Sequence, residues 1–155
     1  MITILGDNAL CGTYLLRICV KRDLLLSFGG FQGGRSIRVP KGELAYVGSA
    51  MAEQGSMTLA RRLLRHATRR DVRNPHQIQE KMMEVFRYIA LSSASLKPPV
   101  KKSLYWNIDY LLEEVDAELT HVMIIRSRIR LEDELAHYMA MAPGSTVLVR
   151  GCLLY

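Results

Sequence analysis

The sequence predicts a single α+β domain, because strand-like patterns fill the first fifty residues and helical periodicity begins only after them. The chain has 155 residues, which is an ordinary length for one domain. Residues 12–20 alternate well enough to form a strand with one apolar face. Short strands are also expected at 36–39 and 43–48, after a glycine-rich turn. We therefore expect a small, mainly antiparallel sheet flanked by helices.

The later residues supply the helices. Leu59, Leu63 and Leu64 recur at helical spacing behind Thr58, a residue suited to cap a helix. The elements expected from this part of the chain are helices over 58–70 and 77–91, a helix that includes 108–115, a strand over 119–125, a helix over 131–141 and a closing strand over 146–149.

The composition favours an anionic partner and argues against a membrane protein. Lys and Arg number 21 against 15 Asp and Glu, which gives a net charge of +6. No apolar run reaches the roughly 18 residues of a membrane span. The chain begins without the basic and apolar regions of a signal peptide, so we expect a cytoplasmic location and no membrane contact. The three cysteines Cys11, Cys19 and Cys152 form no C-x-x-C pair and are expected to be reduced.

Residues 61–73 carry the densest positive charge of the chain. Six arginines meet one acid there, Asp71. Like charges three and four residues apart on a helix repel each other unless an anion lies against them, and phosphate is the obvious anion. The arginines expected to hold backbone phosphates of DNA are Arg61, Arg65, Arg69 and Arg70. A solvated helix face without a ligand is the alternative interpretation.

Four short segments follow one another along the chain. They are Gly12-Thr13-Tyr14, Tyr46-Val47-Gly48-Ser49-Ala50, Arg62-Leu63-Leu64-Arg65-His66 and Trp106-Asn107-Ile108-Asp109-Tyr110-Leu111-Leu112. In this order they resemble the GIY-YIG nucleases, and more closely the Uri-type branch, named after the excision-repair incision subunit and intron-encoded endonucleases. The resemblance covers residues 11–141 and implies a GIY-YIG-like domain with the motif glycines Gly12 and Gly48.

The resemblance also implies the parts of a phosphodiesterase site. Tyr14 or Tyr46 would activate the attacking water, Arg62 would bind the phosphate, and His66 would transfer a proton or support a tyrosine. A single Mg²⁺ or Mn²⁺ ion would be held by Asp109, with Glu113 as the reserve ligand; one carboxylate plus waters suits such an ion. Trp106 is expected to anchor the core rather than to stack on a base.

The chain departs from that branch at two internal places. Residues 72–104 look like an insertion, which would widen the DNA-binding surface or form a homodimer contact. Asn107 stands where the branch has His, which removes a titratable group.

The resemblance implies a metal-dependent endonuclease that hydrolyses DNA phosphodiester bonds, with a structure-selective role in DNA repair. One alternative is a catalytically silent module that binds nucleic acid through the basic helix 58–70. Another is a protein-interaction domain that uses the face formed by Met82, Met83 and Phe86.

Overall fold

The chain folds as one α+β domain. The computed structural model describes residues 1–71, 73–92 and 94–149. The elements are β1 (Ile2–Gly6), β2 (Gly12–Val20), β3 (Leu24–Ser27), β4 (Ser36–Val39), β5 (Gly42–Ala50), α1 (Leu59–His66), α2 (Gln79–Tyr88), α3 (Asn107–Leu112), β6 (Ala117–Arg126) and α4 (Glu132–Met141). None of these helices is long and apolar enough to cross a membrane.

The main sheet has four strands in the order β1, β6, β2, β5, and β3 pairs with β4 in a separate hairpin. The contacts of β2 with β5 and β6 are antiparallel, as expected, whereas β1 runs parallel to β6. The pairing register sets Tyr14 opposite Gly48 and Leu16 opposite Tyr46. Tyr14 and Tyr46 are therefore diagonal neighbours on one face of the sheet, with ring centroids 6.3 Å apart.

Helices α1 and α3 cover the sheet, α1 against β5 and α3 against β6. Both bury their apolar sides completely, as the exposures of Leu63 and Leu111 show. His66 and Asp109 are also fully buried, on these same two helices. The helix pair thus brings two titratable side chains against the face of the sheet that carries Tyr14.

Helix α1 is shorter than the predicted 58–70, because other groups satisfy its last carbonyls. The amide of His76 donates to the carbonyl of Ala67 over 2.9 Å, and Gln79 Nε2 donates to the same oxygen over 3.3 Å. Asp71 then adopts a positive φ of 60°, and a right-handed helix cannot continue through that conformation. Arg69 and Arg70 consequently lie beyond the helix instead of extending its basic face.

The described part of segment 72–104 contributes several buried residues to the core. Met82 and Phe86 on α2 are fully buried, and Leu91 and Leu96 join the same cluster. The hypothesis of a protein-interaction face formed by Met82, Met83 and Phe86 is wrong for this reason, since the chain's own core covers two of the three. A homodimer contact elsewhere in the segment stays a prediction.

The fourth strand of the sheet is not the one expected. The closing strand predicted over 146–149 does not form, since residues 146–148 are outside any strand and only Val149 makes an isolated bridge. Strand β1 completes the sheet instead, by pairing with β6. Strand β1 has only five residues, Ile2-Thr3-Ile4-Leu5-Gly6, which is too short for a clear alternation of apolar and polar residues to identify it.

Candidate active site

Three side chains from three elements form a buried hydrogen-bonded chain. The Tyr14 hydroxyl lies 2.9 Å from His66 Nε2, and His66 Nδ1 lies 3.2 Å from Asp109 Oδ1. Strand β2 supplies the tyrosine, the last turn of α1 the histidine and the first turn of α3 the aspartate. All three are at most 1% exposed. The structure thus joins three of the predicted site residues.

The protonation of this chain follows from its surroundings. Burial lowers the pKa of His66, although the hydrogen bond to Asp109 opposes the shift, so the ring is neutral at pH 7. Because the Asp109 carboxylate only accepts, Nδ1 carries the ring proton and Nε2 accepts from the Tyr14 hydroxyl. Burial, with a further contribution from Tyr46, raises the pKa of Tyr14 well above its usual value. The Tyr14 phenol therefore keeps its proton at rest, and His66 Nε2, which accepts its hydrogen bond, is the nearest base that could take that proton.

Asp109 is held by protein groups on both oxygens. Oδ2 accepts from the amides of Tyr105 and Trp106, each over 3.2 Å, which fixes the start of α3. Oδ1 lies 3.8 Å from the ammonium of Lys102 in addition to its contact with His66. Burial alone would raise the pKa of Asp109, but the hydrogen bond from His66 and the charge of Lys102 hold it below its usual value. These contacts favour Asp109 as the group that orients His66 over its predicted role as a metal ligand.

The reserve ligand Glu113 is occupied in the same way. Its Oε1 lies 3.1 Å from Lys102 Nζ, and its Oε2 accepts from the amide of Arg70 over 3.0 Å. Lys102 also donates to the carbonyl of Thr68 over 2.7 Å. Burial lowers the pKa of Lys102, against the two carboxylates that raise it. Glu113 and Asp109 thus serve as the counter-charges of one buried lysine.

A cleft of about 330 Å³ lies beside the hydrogen-bonded series Tyr14–His66–Asp109, and Tyr46 and Trp106 are among the residues that line it. It is lined by Tyr46, Gly48, Ser49, Met51, Arg62, Trp106, Arg130 and Glu132. Among the described residues, the carboxylate that lines it is Glu132, whose Oε2 accepts from Arg130 over 2.8 Å and from the Ser49 hydroxyl. Across residues 1–71, 73–92 and 94–149, no group of three or more His, Cys, Asp or Glu side chains converges as metal ligands do.

Arg62 is held in the cleft from two sides. Its guanidinium carbon lies 4.1 Å from the centre of the Trp106 ring, in a cation–π contact. Its Nη1 donates to the carbonyl of Ser49, next to the motif glycine Gly48. Trp106 also packs against the core, as expected, but its other side forms part of the cleft wall.

The remaining arginines differ in what they can offer to a phosphate. Arg61 is exposed on α1. Arg65 turns inward, to the carbonyl of Ser103 and towards Asp109 at 3.8 Å. Arg69 is only 8% exposed and binds Glu118 over 3.1 Å and the carbonyl of Ala117 over 2.7 Å. Arg70 is 42% exposed, with Nε 3.5 Å from Glu113. Arg61 and Arg70 thus remain suited to an external anion, whereas Arg65 and Arg69 stabilise the fold.

Sequence patterns did not reveal Glu132, Ser49 or Lys102. Ser49 belongs to the segment Tyr46–Ala50, but no role was expected for it. Glu132 is one of three acids in the first turn of α4, a place where an acid stabilises any helix. Lys102 follows another lysine in a loop and carries no local signal. Only the tertiary structure separates these residues from their neighbours.

Replacing Gly48 by Ala is expected to disturb the site directly. A Cβ at this position would lie 2.7 Å from both Cζ and the hydroxyl of Tyr14. Because Tyr14 is enclosed, we expect a loss of about 1–3 kcal/mol in the free energy of unfolding. Urea denaturation of Gly48→Ala measures the loss, and Gly30→Ala, where nothing lies within 4 Å, is the matched control. Equal stabilities of the two variants would contradict the packing described here.

The buried histidines predict a loss of stability in mild acid. Burial lowers the pKa of His66 and of His76 in the folded chain, so the unfolded chain takes up protons first as the pH falls below about 6.5. A second loss is expected below about pH 4.5, because hydrogen bonds from the amide of Gln77 and the guanidinium of Arg69 outweigh burial and lower the pKa of Glu118 to about 2. Urea midpoints at pH 8, 6.5, 5 and 4 should fall in that order. A midpoint that stays constant from pH 8 to 5 would show that these histidines are not buried in the neutral form.

Comparison with known proteins gives one finding. No curated protein and no solved structure matches the chain. A family model described as "Domain of unknown function DUF123" matches residues 13–152, which include Tyr14, the cleft and the buried chain behind it. The protein therefore belongs to the DUF123 family.

Proposed function

We propose that the protein is a metal-dependent nuclease that hydrolyses DNA phosphodiester bonds in the cleft around Arg62. The observation that carries this proposal is the chain Tyr14–His66–Asp109, which starts next to a cleft containing an oriented arginine and a carboxylate. Hydrolysis of a phosphodiester needs a path for the proton of the attacking water and positive charge at the phosphorus. The resemblance to the GIY-YIG nucleases supports the same assignment.

The donor groups of the cleft fit one hydrated divalent ion. Glu132 would hold it, because it is the carboxylate that lines the cleft and its hydrogen bonds to Ser49 and Arg130 both fall on Oε2. Mg²⁺ and Mn²⁺ accept a single carboxylate with several waters, so a larger ligand set is not required. When bound, such an ion polarises the phosphate and stabilises the leaving oxygen.

The buried chain provides the path for the proton. The Tyr14 phenol is buried directly behind Gly48, which lines the cleft, because a Cβ at Gly48 would lie 2.7 Å from the phenol oxygen. In the proposed step, the phenol oxygen takes the proton of the water while His66 Nε2 takes the phenolic proton. Asp109 keeps the His66 ring in the required tautomer and stabilises the imidazolium that forms, as in other Asp–His pairs. Tyr46, which lines the cleft, would orient the water.

Arg62 would bind the scissile phosphate. Trp106 and the Ser49 carbonyl fix the guanidinium before any ligand arrives, so little side-chain entropy is lost on binding. Phosphate contacts carry no information about base sequence, and we therefore expect weak sequence preference and strong salt dependence. The free thiols of Cys11 and Cys19 suit the cytoplasmic location that we propose, whereas Cys152 lies outside the described residues.

Cleavage of supercoiled and branched DNA with Mg²⁺ or Mn²⁺ at low salt tests this proposal. We expect cleavage that stops with a chelator and falls about a hundredfold in Arg62→Ala, because the charge at the phosphate is lost. Arg35→Ala is the matched control, since Arg35 is an exposed arginine directly before β4 and does not line the cleft. A contaminating nuclease would cut equally well in all three preparations.

The same assay distinguishes the alternative from the enzyme. A silent binding module would retain salt-sensitive binding of DNA but would cleave none of these substrates with either metal. That outcome would overturn the proposed activity and would leave structure-selective repair without support.

A further inference from the structure

We infer that the exposed ring of Tyr105 is a stacking platform for an unpaired nucleobase, so that the preferred substrate is DNA with a single-stranded segment at the cleft. This inference rests on the proposed function, because it names the substrate class of the same cleft. It starts from Tyr105, which is exposed and packs against Trp106, a residue that lines the cleft.

Tyr105 is 75% exposed, and its ring packs edge-on against Trp106 with centroids 4.9 Å apart. Trp106 in turn is fixed by the guanidinium carbon of Arg62 at 4.1 Å and by that of Arg65 at 5.2 Å. The amide of Tyr105 donates to buried Asp109, so the backbone beneath the ring is fixed as well. A large apolar surface is thus presented to solvent against Trp106, the ring that also contacts Arg62.

The charges around this ring select a nucleotide strand as its partner. Arg62 and Arg130 line the cleft next to Trp106 together with Glu132, which binds Arg130, and exposed Arg61 precedes Arg62 on α1, so the cations outnumber the one acid. An exposed ring can stack on a base while neighbouring cations bind phosphates, and a nucleotide strand carries bases and phosphates in alternation. A base within a duplex has both faces stacked on its neighbours, and only an unpaired base can offer a face to Tyr105. The platform therefore discriminates between strands by their structure and not by their sequence.

Binding without cleavage tests the inference. Fluorescence anisotropy of a labelled oligothymidylate and of a labelled duplex of the same length is measured in the presence of a chelator. We expect the single strand to bind at least about tenfold more tightly than the duplex at equal salt. The intrinsic fluorescence of Trp106, the single tryptophan of the chain, should be quenched by the single strand, because it lies under the platform.

Three variants isolate the ring. Tyr105→Leu should weaken binding of the single strand about tenfold and leave binding of the duplex unchanged, whereas Tyr105→Phe should bind both as the wild type does. Tyr88→Leu is the matched control, because Tyr88 is 91% exposed on α2 and does not line the cleft. Equal affinities for single strand and duplex, or wild-type binding by Tyr105→Leu, would overturn the inference.

The outcome is separable from that of the nuclease proposal. Binding that prefers the single strand and depends on Tyr105, without cleavage after metal is added, would retain the platform and reject the enzyme. Cleavage that is indifferent to strand structure and to Tyr105→Leu would retain the enzyme and reject the platform.

Discussion

Replacing Glu132 by Gln is expected to lower the rate of DNA cleavage about a thousandfold, equivalent to about 4 kcal/mol in the activation barrier. Glutamine keeps the shape of the side chain and can still accept from the Ser49 hydroxyl, so the start of α4 should be unchanged. What it removes is the negative charge that lines the cleft. DNA should bind to Glu132→Gln at least as tightly as to the wild type, because a charge of the same sign as the phosphates has been lost.

Glu134→Gln is the matched control for this prediction. Glu134 lies two residues further along the same helix and is exposed, outside the lining of the cleft. Cleavage should be measured over a series of Mg²⁺ and Mn²⁺ concentrations for both variants. Wild-type activity of Glu132→Gln at low metal would remove Glu132 from the site.

Removing the carboxylate of Asp109 is expected to have the largest effect on stability. In Asp109→Ala, buried Lys102 would keep Glu113 as its remaining carboxylate, and the His66 Nδ1 proton would lose its acceptor. Breaking a buried ion pair from one side costs about 3–5 kcal/mol, and we expect a loss of that size in the free energy of unfolding. Urea denaturation followed by circular dichroism measures it, and a midpoint unchanged from the wild type would contradict the buried contacts.

Asp109→Asn separates the orienting role of Asp109 from a metal-binding role. Its amide oxygen can still accept from the amides of Tyr105 and Trp106, but its nitrogen cannot accept from His66 Nδ1. The ring would then be held in the wrong tautomer, and cleavage should fall about a hundredfold or more at every metal concentration. Rescue by a high concentration of Mn²⁺ would instead identify Asp109 as the metal ligand that the sequence predicted.

Local sequence patterns were sufficient to predict the α+β class and the course of β2 and β5. Strand β2 alternates over its second half because one face is buried, whereas β5 is buried on both faces towards its end and was expected from the turn before it. The register that sets Tyr14 opposite Gly48 is seen only in the folded structure. The same reasoning missed β1 and extended α1 to residue 70. In both places tertiary contacts decide the outcome: β6 supplies the partner of β1, and His76 and Gln79 bind the carbonyl after α1.

The site divides along the same line. Tyr14, Tyr46, Arg62 and His66 were predicted from motifs. The structure brings them together, with Tyr46 and Arg62 lining the cleft and Tyr14 and His66 buried behind it. The environment of Asp109 was not predictable, because its partner Lys102 comes from a segment that looked like an insertion. Glu132 could not be chosen from three acids in one turn until the cleft showed which of them lies beside Arg62.

The rate of cleavage at saturating DNA tests the central claim most directly. Protein in excess over a labelled partly single-stranded DNA, with Mg²⁺, gives one turnover per molecule, and wild type and Arg62→Ala are compared at concentrations where both have bound all of the DNA. The account predicts metal-dependent cleavage by the wild type and a rate about a hundredfold lower in Arg62→Ala despite full binding. Equal rates for the two proteins, or fully bound DNA that the wild type leaves intact, would contradict it.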